Sequence, residues 1–438
     1  MSKYSKEDII NLVEENDVEF IRLQFTDILG NLKNVAITKS QLQKALDNKC
    51  MFDASSIDKF MRTEEADMYL KPDLDSFVIF PWRPQQGKVA RLICNLYTQQ
   101  GEPFEGDSRY RLQKVLQEAK EMGYTFKIEP KCEFFLFHTD EEGRPTNITH
   151  DTAGYFDLGP IDRGENARRD ICLTLEEMGF EVKTSHHEMA RGQHEVNFKE
   201  DEALKAADNV MTFKLVVKSI AQRNGLYATF MPKPTFGAHG SGMHLCLYLN
   251  KDGKDVFLDA SDSRGNNLSN TAYNFIAGVM EHIKGMTAVN NPLVNSYKRL
   301  IEGYEAPVDI AWSTKSKAAL LRVPESRDEG TRIELRSPDP CCNPYLALAD
   351  YIAAGLDGIK RNLIPVEKIE KMTGGKENIE KLPQSLSEAV SELKKDKFIK
   401  EVMGEYIVNW FIEAKTAEWN EYRSRVTQWE IDNYLGRY

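Results

Sequence analysis

The sequence predicts an α+β protein, with a small, mostly β N-terminal domain followed by a larger domain in which helices and strands alternate. Three observations carry this. Strand-like runs crowd the first hundred residues, a polar stretch at residues 99–109 (QQGEPFEGDSR) interrupts them, and beyond it helical and strand periods take turns. We place the division between domains 1–103 and 104–438. A chain of 438 residues suits two domains better than one.

The first helix is expected at about residues 5–16, where Ile9, Ile10, Leu12 and Val13 make an apolar face. FIRLQFTD and LKNVAI read as a hairpin around Leu29-Gly30-Asn31, and SFVIFPW and VARLICNLY as further strands. In the second domain residues 110–122 read as a helix and KCEFFLF as a strand. A helix at 165–178 precedes two strands, EVKTSHHE and HEVNF, around the turn Ala190-Arg191-Gly192. Residues 201–223 read as a long helix, and MHLCLYL and DVFL as a hairpin around Asp252-Gly253. NPYLALADYIAAGLDGIKRN is a helix with Pro344 in its first turn. The last ~55 residues read as helical, with an aromatic tail that includes Trp429, Tyr434 and Tyr438.

Lys plus Arg is 57 and Asp plus Glu is 68, a net charge of −11. That balance argues against a general nucleic-acid binder, although a pocket can still be locally basic. There is no run of ~18 apolar residues to span a membrane and no apolar signal-peptide core at the start. Seven cysteines without regular spacing suit reduced thiols, so a cytoplasmic protein is expected. Gly374-Gly375-Lys376 is followed by Glu377 and fails as a phosphate-binding P-loop.

The carboxylates say more. Glu188 and Glu195 flank the tight turn in HHEMARGQHE, with His187 and His194 beside them, and Glu133 opens EFFLF. Three carboxylates from neighbouring strands make an oxygen-rich site suited to Mg²⁺ or Mn²⁺. From these residues alone a polar hairpin tip is the commoner reading. Alternation in MHLCLYL puts His244, Cys246 and Tyr248 on one face and Leu245, Leu247 and Leu249 on the core face. In TRIELRSPDP it puts Arg332, Glu334 and Arg336 together. Such a ladder is either a solvated surface or a phosphate clamp around a metal-binding Glu. Arg299, Lys315, Lys317 and Arg322 lie upstream, a basic cluster that suits a polyphosphate substrate.

Taken together, FDASSIDKF, CEFFLF, HHEMARGQHEVNF, FGAHGSGMH, NSYKRLIEGYEAP and RIELRSPDPCCNPYLALA closely resemble type I bacterial glutamine synthetase, in order along nearly the whole chain. The resemblance implies an N-terminal β-grasp-like domain and a catalytic domain with an incomplete antiparallel β-barrel surrounded by helices. It implies a homo-oligomer, a dodecamer of two stacked hexameric rings, with active sites between neighbouring subunits. It implies ATP-dependent amidation of the glutamate γ-carboxylate by ammonia, through γ-glutamyl phosphate. Glu133, Glu188 and Glu195 would hold one metal, and His244 and Glu334 a second. Gly240, Arg299 and Arg336 would hold glutamate, and Glu305 would close the site. Asp53 would reach across the interface to take a proton from ammonium. Phe198, Lys317, Arg322 and Arg332 would face ATP. Arg62 falls where some family members carry a feedback-inhibition residue.

Departures from the family pattern cluster on the site face. The family's Glu-x-Glu before FFLF is Lys131-Cys132-Glu133 here. Glu129 shares that face but is displaced by roughly 7 Å from the lost ligand. Lys131 is expected to pair with Glu334 and to occupy the place of the second ion. The usual Asn, Ser and Gly are His239, Tyr248 and Ala54, and Asn-Arg-Ser is Ser316-Lys317-Ala318. Three readings follow: a working glutamine synthetase with a remodelled second metal site, a relative that joins glutamate to another amine, and a non-catalytic paralogue.

Overall fold

The structure is a computed structural model describing residues 3–55, 57, 67–325, 330–369 and 379–438. Arg62 and the Gly374–Lys376 run lie outside the described residues.

The N-terminal sheet contains β1 (Val18–Thr26), β2 (Leu32–Thr38), β3 (Cys50–Asp53), β4 (Asp67–Ile79) and β5 (Lys88–Tyr97), in the order β2-β1-β5-β4-β3. β1 and β5 run parallel and the other neighbours antiparallel. α1 (Lys6–Glu15) starts at a capping box, in which the Ser5 hydroxyl accepts from Asp8 N and the Asp8 carboxylate from Ser5 N. It buries Ile9 and Val13, and the short α2 (Leu42–Leu46) buries Leu42, Ala45 and Leu46.

The β1–β2 turn docks on the second sheet's helices. Gly30, with φ +85°, comes so near that a Cβ there would lie 3.0 Å from Asn343 Cα. Asn343 Nδ2 donates to the carbonyls of Asp27 (3.1 Å) and Ile28 (3.2 Å). Deeper in, Arg109 of α3 (Ser108–Glu121) pairs with Asp73 of β4 (2.6 Å) and with Asp208 (2.8 Å). Arg109 and Asp208 are both covered, so this bridge fixes orientation more than it adds stability.

β6 (Tyr124–Thr139) is the spine of an eleven-stranded second sheet that curves into a nearly closed barrel. Along it pair β7 (Pro145–Thr149), β9 (Gln193–Phe198), β10 (Asp201–Glu202), β11 (Leu226–Thr229) and β12 (Met243–Lys251). β8 (Val182–His187) extends the β9 side, and α4 (Glu165–Glu177) precedes it. On the other side β13 (Lys254–Asp255) and β16 (Ile333–Leu335) pair with β12, and β15 (Leu321–Arg322) and β14 (Trp312–Ser313) follow β16. Of DVFL only Asp255 lies in a strand, β13, because the chain then turns to bridge Leu258 with Leu268.

The covering helices are α5 (Ala203–Arg223), α6 (Asn270–Asn290), the short α7 (Ser296–Arg299) and α8 (Pro344–Arg361). α9 (Leu386–Lys395), α10 (Lys397–Met403) and α11 (Glu405–Ser424) pack outside them. α6 goes unmarked in the sequence analysis. Fifteen of its 21 residues are buried, so no polar face gives it a visible 3.6-residue period. Among the described residues no helix is long and apolar enough to cross a membrane.

Candidate active site

The site grows from the register around β6. Alternate residues Glu129, Lys131 and Glu133 share one face of the strand. Across β9, Glu133 stands opposite Glu195; across β12, Lys131 stands opposite His244 and Glu129 opposite Cys246. β16 then sets Glu334 opposite Cys246. One pleated face thus gathers residues distant in sequence.

The carboxylate group lies at the β9 end. His186 Nε2 is 2.8 Å from Glu188 Oε1 and 3.7 Å from Glu195 Oε1. Glu133 Oε2 accepts from Gly242 N (2.8 Å) and from Gln193 Nε2 (3.1 Å). Burial first, and then Glu188 and Glu195, pushes the Glu133 carboxyl well above the usual range. Burial and Glu188 raise Glu195 likewise. His186, Glu188 and Glu195 bring ligand atoms within 4.8 Å of one another, and with Glu133 repelling both carboxylates the group fits a divalent cation, which would relieve that repulsion.

His186, not His187 or His194, completes this group. Alternation along β8 turns His186 to the carboxylate face and His187 away from it. His187 packs between the Glu188 carbonyl (2.6 Å) and Asp151 (3.2 Å), and Asp151 also accepts from Gly192 N (2.9 Å). His150, Asp151, Asp162 and His194 are close enough for metal ligands. Yet Arg168 donates to Asp162 (2.6 Å) and to His194 Nδ1 (3.0 Å), which leaves the His194 proton on Nε2. A Cβ on Gly164 would lie 2.6 Å from His194 Nε2 and 2.7 Å from His150 Nε2. This cluster braces the hairpin from behind.

At the β12 end Glu334 is engaged, though not by Lys131. Arg336 Nη1 donates to Glu334 Oε1 (2.6 Å), His244 Nδ1 lies 3.3 Å from the same oxygen, and Arg322 Nη1 lies 3.5 Å from Oε2. Arg336 is two residues along the same strand face and reaches Glu334 without crossing the sheet. Among the described residues Lys131 forms no ion pair; Cys246 first, then Glu334, Glu129 and Glu195, holds its ammonium charged. Glu129 accepts from the Tyr248 hydroxyl (3.1 Å) and from Lys183 Nζ (3.4 Å). Burial and then Arg336 push the His244 imidazole down to about 3, so it is neutral and available as a ligand.

The third group is built on loops. Gly240 must be glycine, because a Cβ would sit 2.3 Å from the Pro232 carbonyl oxygen. Arg299 is buried and donates to the carbonyls of Arg336 (3.1 Å), Ser337 (2.7 Å) and Pro338 (3.3 Å). Glu305 is exposed, with φ +56°. Among the described residues Arg322 Nε and Arg336 Nε are buried without a hydrogen-bond partner, donors placed for a carboxylate or phosphate.

The remaining residues are scattered. Asp53 is exposed at the end of β3, where it accepts from Ser55 N (2.9 Å) and Oγ (2.6 Å). Lys317 is exposed, and Arg332 is half-buried among Cys246, Tyr248, Glu129 and Glu334. The Phe198 side chain does not face the site. It sits in the core, edge-on to Phe180 at 5.1 Å, leaving only its main chain for a ligand. His186, Gln193 and Lys183 were missed by the sequence analysis; strand alternation alone places His186 correctly.

A family model for the glutamine synthetase catalytic domain matches residues 105–434, and one for its β-grasp domain matches residues 17–99. The chain belongs to the glutamine synthetase family. It is 62% identical to a glutamine synthetase of Clostridium saccharobutylicum, over all of both chains. It is 52% identical to one of Staphylococcus aureus strain Mu50, over 99% of each chain. Among solved structures, a GmaS complex with ADP superimposes with a TM-score of 0.89 at 32% identity, covering 98% of this chain and 99% of that one. Plasmodium falciparum glutamine synthetase shares the fold with a TM-score of 0.88 at 24% identity, covering 99% of each. In this chain the family's two domains correspond to the two sheets, and β6 carries Glu129 and Glu133 on the site face of the barrel.

Proposed function

We propose that this chain is a glutamate–ammonia ligase, which makes glutamine from glutamate and ammonium with ATP. The observation that carries the reading is the single barrel face on which Glu133, Glu188 and Glu195 meet the Arg322, Glu334 and Arg336 cluster. In the first step a γ-carboxylate oxygen of glutamate attacks the γ-phosphorus of ATP, and ADP leaves. In the second, ammonia forms the C–N bond at the acyl carbon, phosphate leaves with the C–O electrons, and a proton departs.

Each step needs something from the chain. Arg322, Arg332 and Lys317 carry positive charge to the ATP phosphates, and the Phe198 main chain borders the nucleotide. Arg299, Arg336 and the Gly240 backbone hold glutamate. Glu305 covers the acyl phosphate against water. Asp53, brought by a neighbouring copy, takes the ammonium proton, because NH₄⁺ has no lone pair. Glu133, Glu188 and Glu195, with His186 beside them, would hold Mg²⁺ or Mn²⁺, which supplies charge neutralisation at the phosphate oxygens. Lys131 supplies a fixed single charge near Glu334, so we infer one tight divalent site per chain. We propose a cytoplasmic dodecamer of two hexameric rings.

The test is phosphate release dependent on both ATP and glutamate, run with ammonium and then with a panel of primary amines. Release with ammonium is expected, with glutamine as product. Release only with amines selects an amine ligase. Binding of glutamate or nucleotide without turnover selects a non-catalytic paralogue.

A further inference from the structure

Lys233 lies beneath the glutamate-side loops and has no part in the steps above. It is only 8% exposed, yet among the described residues it has no carboxylate partner. The charge acting on it is another cation, Arg299, which together with burial lowers its pKa. A covered ammonium without a counter-ion is costly, so its two remaining contacts must hold it. It donates to the Ala238 carbonyl, and it lies over the Tyr304 ring, 3.7 Å from the centroid.

Those contacts belong to two different loops. Ala238 belongs to the segment that ends at Gly240, a loop closed by Ser241 N donating to the Pro232 carbonyl (2.8 Å). Tyr304 belongs to the segment that presents Glu305, and the His239 ring meets it edge-on at 5.7 Å. Lys233 itself is fixed from below. Its N–H donates to Asn295 Oδ1 (2.8 Å) and its carbonyl accepts from Asn295 Nδ2 (3.0 Å). Glu305 needs such support, because φ +56° is a conformation that a non-glycine residue keeps only when its neighbours impose it.

We propose that Lys233 is a positioning residue, whose ammonium fastens the Tyr304–Glu305 loop to the Ala238–Gly240 loop and so sets where Glu305 stands over the site. The assignment rests on the reading of both loops as borders of the glutamate site. Arg in its place would keep the cation over the ring; Met would keep the stem and lose the charge.

Hydrogen–deuterium exchange on the full chain tests the fastening without requiring turnover. Lys233→Met should speed exchange in both 236–242 and 300–307 by roughly thirtyfold, the size that a desolvated cation–π contact implies. Lys233→Arg should return both segments to wild-type rates. Tyr304→Leu, which breaks the contact from the other loop, should reproduce the Met variant and stands in if that variant does not fold. If the reading of the site is also right, the Michaelis constant for glutamate rises in Lys233→Met and recovers in Lys233→Arg. Unchanged exchange in either segment overturns the fastening, whatever the activity. Altered exchange in both segments, with no ATP- and glutamate-dependent phosphate release from wild type, upholds the fastening and overturns the ligase reading instead.

Discussion

Lys131 and Glu334 show how far a single residue can be read. The family resemblance leads one to expect an anion where Lys131 stands, and the strand period places Lys131 on the site face. Its expected partner is taken, because Arg336 holds Glu334 at 2.6 Å from the next position on that face. The expectation for metal binding does not depend on that pairing. At an effective dielectric near 20, a unit charge ~4 Å from a divalent ion repels it by roughly 8 kcal/mol. Screening leaves a fraction of this, yet about 1.4 kcal/mol already weakens binding tenfold. Wild type should therefore titrate one strong Mn²⁺ per chain, and Lys131→Glu should add a second. Electron paramagnetic resonance counts free Mn²⁺ directly, and two strong sites in wild type would sink the one-ion reading.

At the scale of elements, His282 on α6 joins three helices. Its Nδ1 lies 2.9 Å from Asp396, the N-cap of α10, and its Nε2 lies 3.0 Å from Asp357 of α8. Burial opposes the charged imidazole, but the hydrogen bonds to Asp396 and Asp357 outweigh it and raise the pKa. Arg361 also reaches Asp357 (2.8 Å) and softens its pull on His282. A raised folded-state pKa stabilises the protein fully below the unfolded value of about 6.5 and ceases to do so as pH climbs past the folded value. His282→Gln should cost about 1–2 kcal/mol at pH 6 and much less at pH 9. Urea unfolding at both values measures it, and an equal loss at the two would remove the charge from the explanation. The sequence shows none of this, since the three residues lie on separate helices and meet only by packing.

At the scale of the molecule, the exposed Asp53 sits on one sheet and its proposed partners on the other. Large apolar side chains at the C-terminal tail are also uncovered in the single chain, with Leu435 78% and Trp429 61% exposed. Both features suit an assembly in which neighbours complete the site and cover the tail. An Asp53→Asn chain and a Glu334→Gln chain, each inactive alone, should regain activity when co-assembled, because some shared sites then hold both native residues. Mixed rings no better than either parent would exclude a shared site, and a light-scattering mass near one chain would exclude the assembly.

The sequence by itself determined the two sheets, most helix and strand positions, and the residue types of the site, because strand alternation, helical period and turn residues are local signals. It also set the chemistry: carboxylates for a cation, and guanidinium and ammonium groups for anions. Tertiary structure decided the rest. It set His187 against Asp151, gave Glu334 to Arg336, and spent the Phe198 ring on the core. It placed Lys233 under Tyr304 although 70 residues separate them. The physical reason is that a strand's period fixes which face a side chain takes, whereas the nearest charge or ring on that face comes from whichever other strand or loop folds against it.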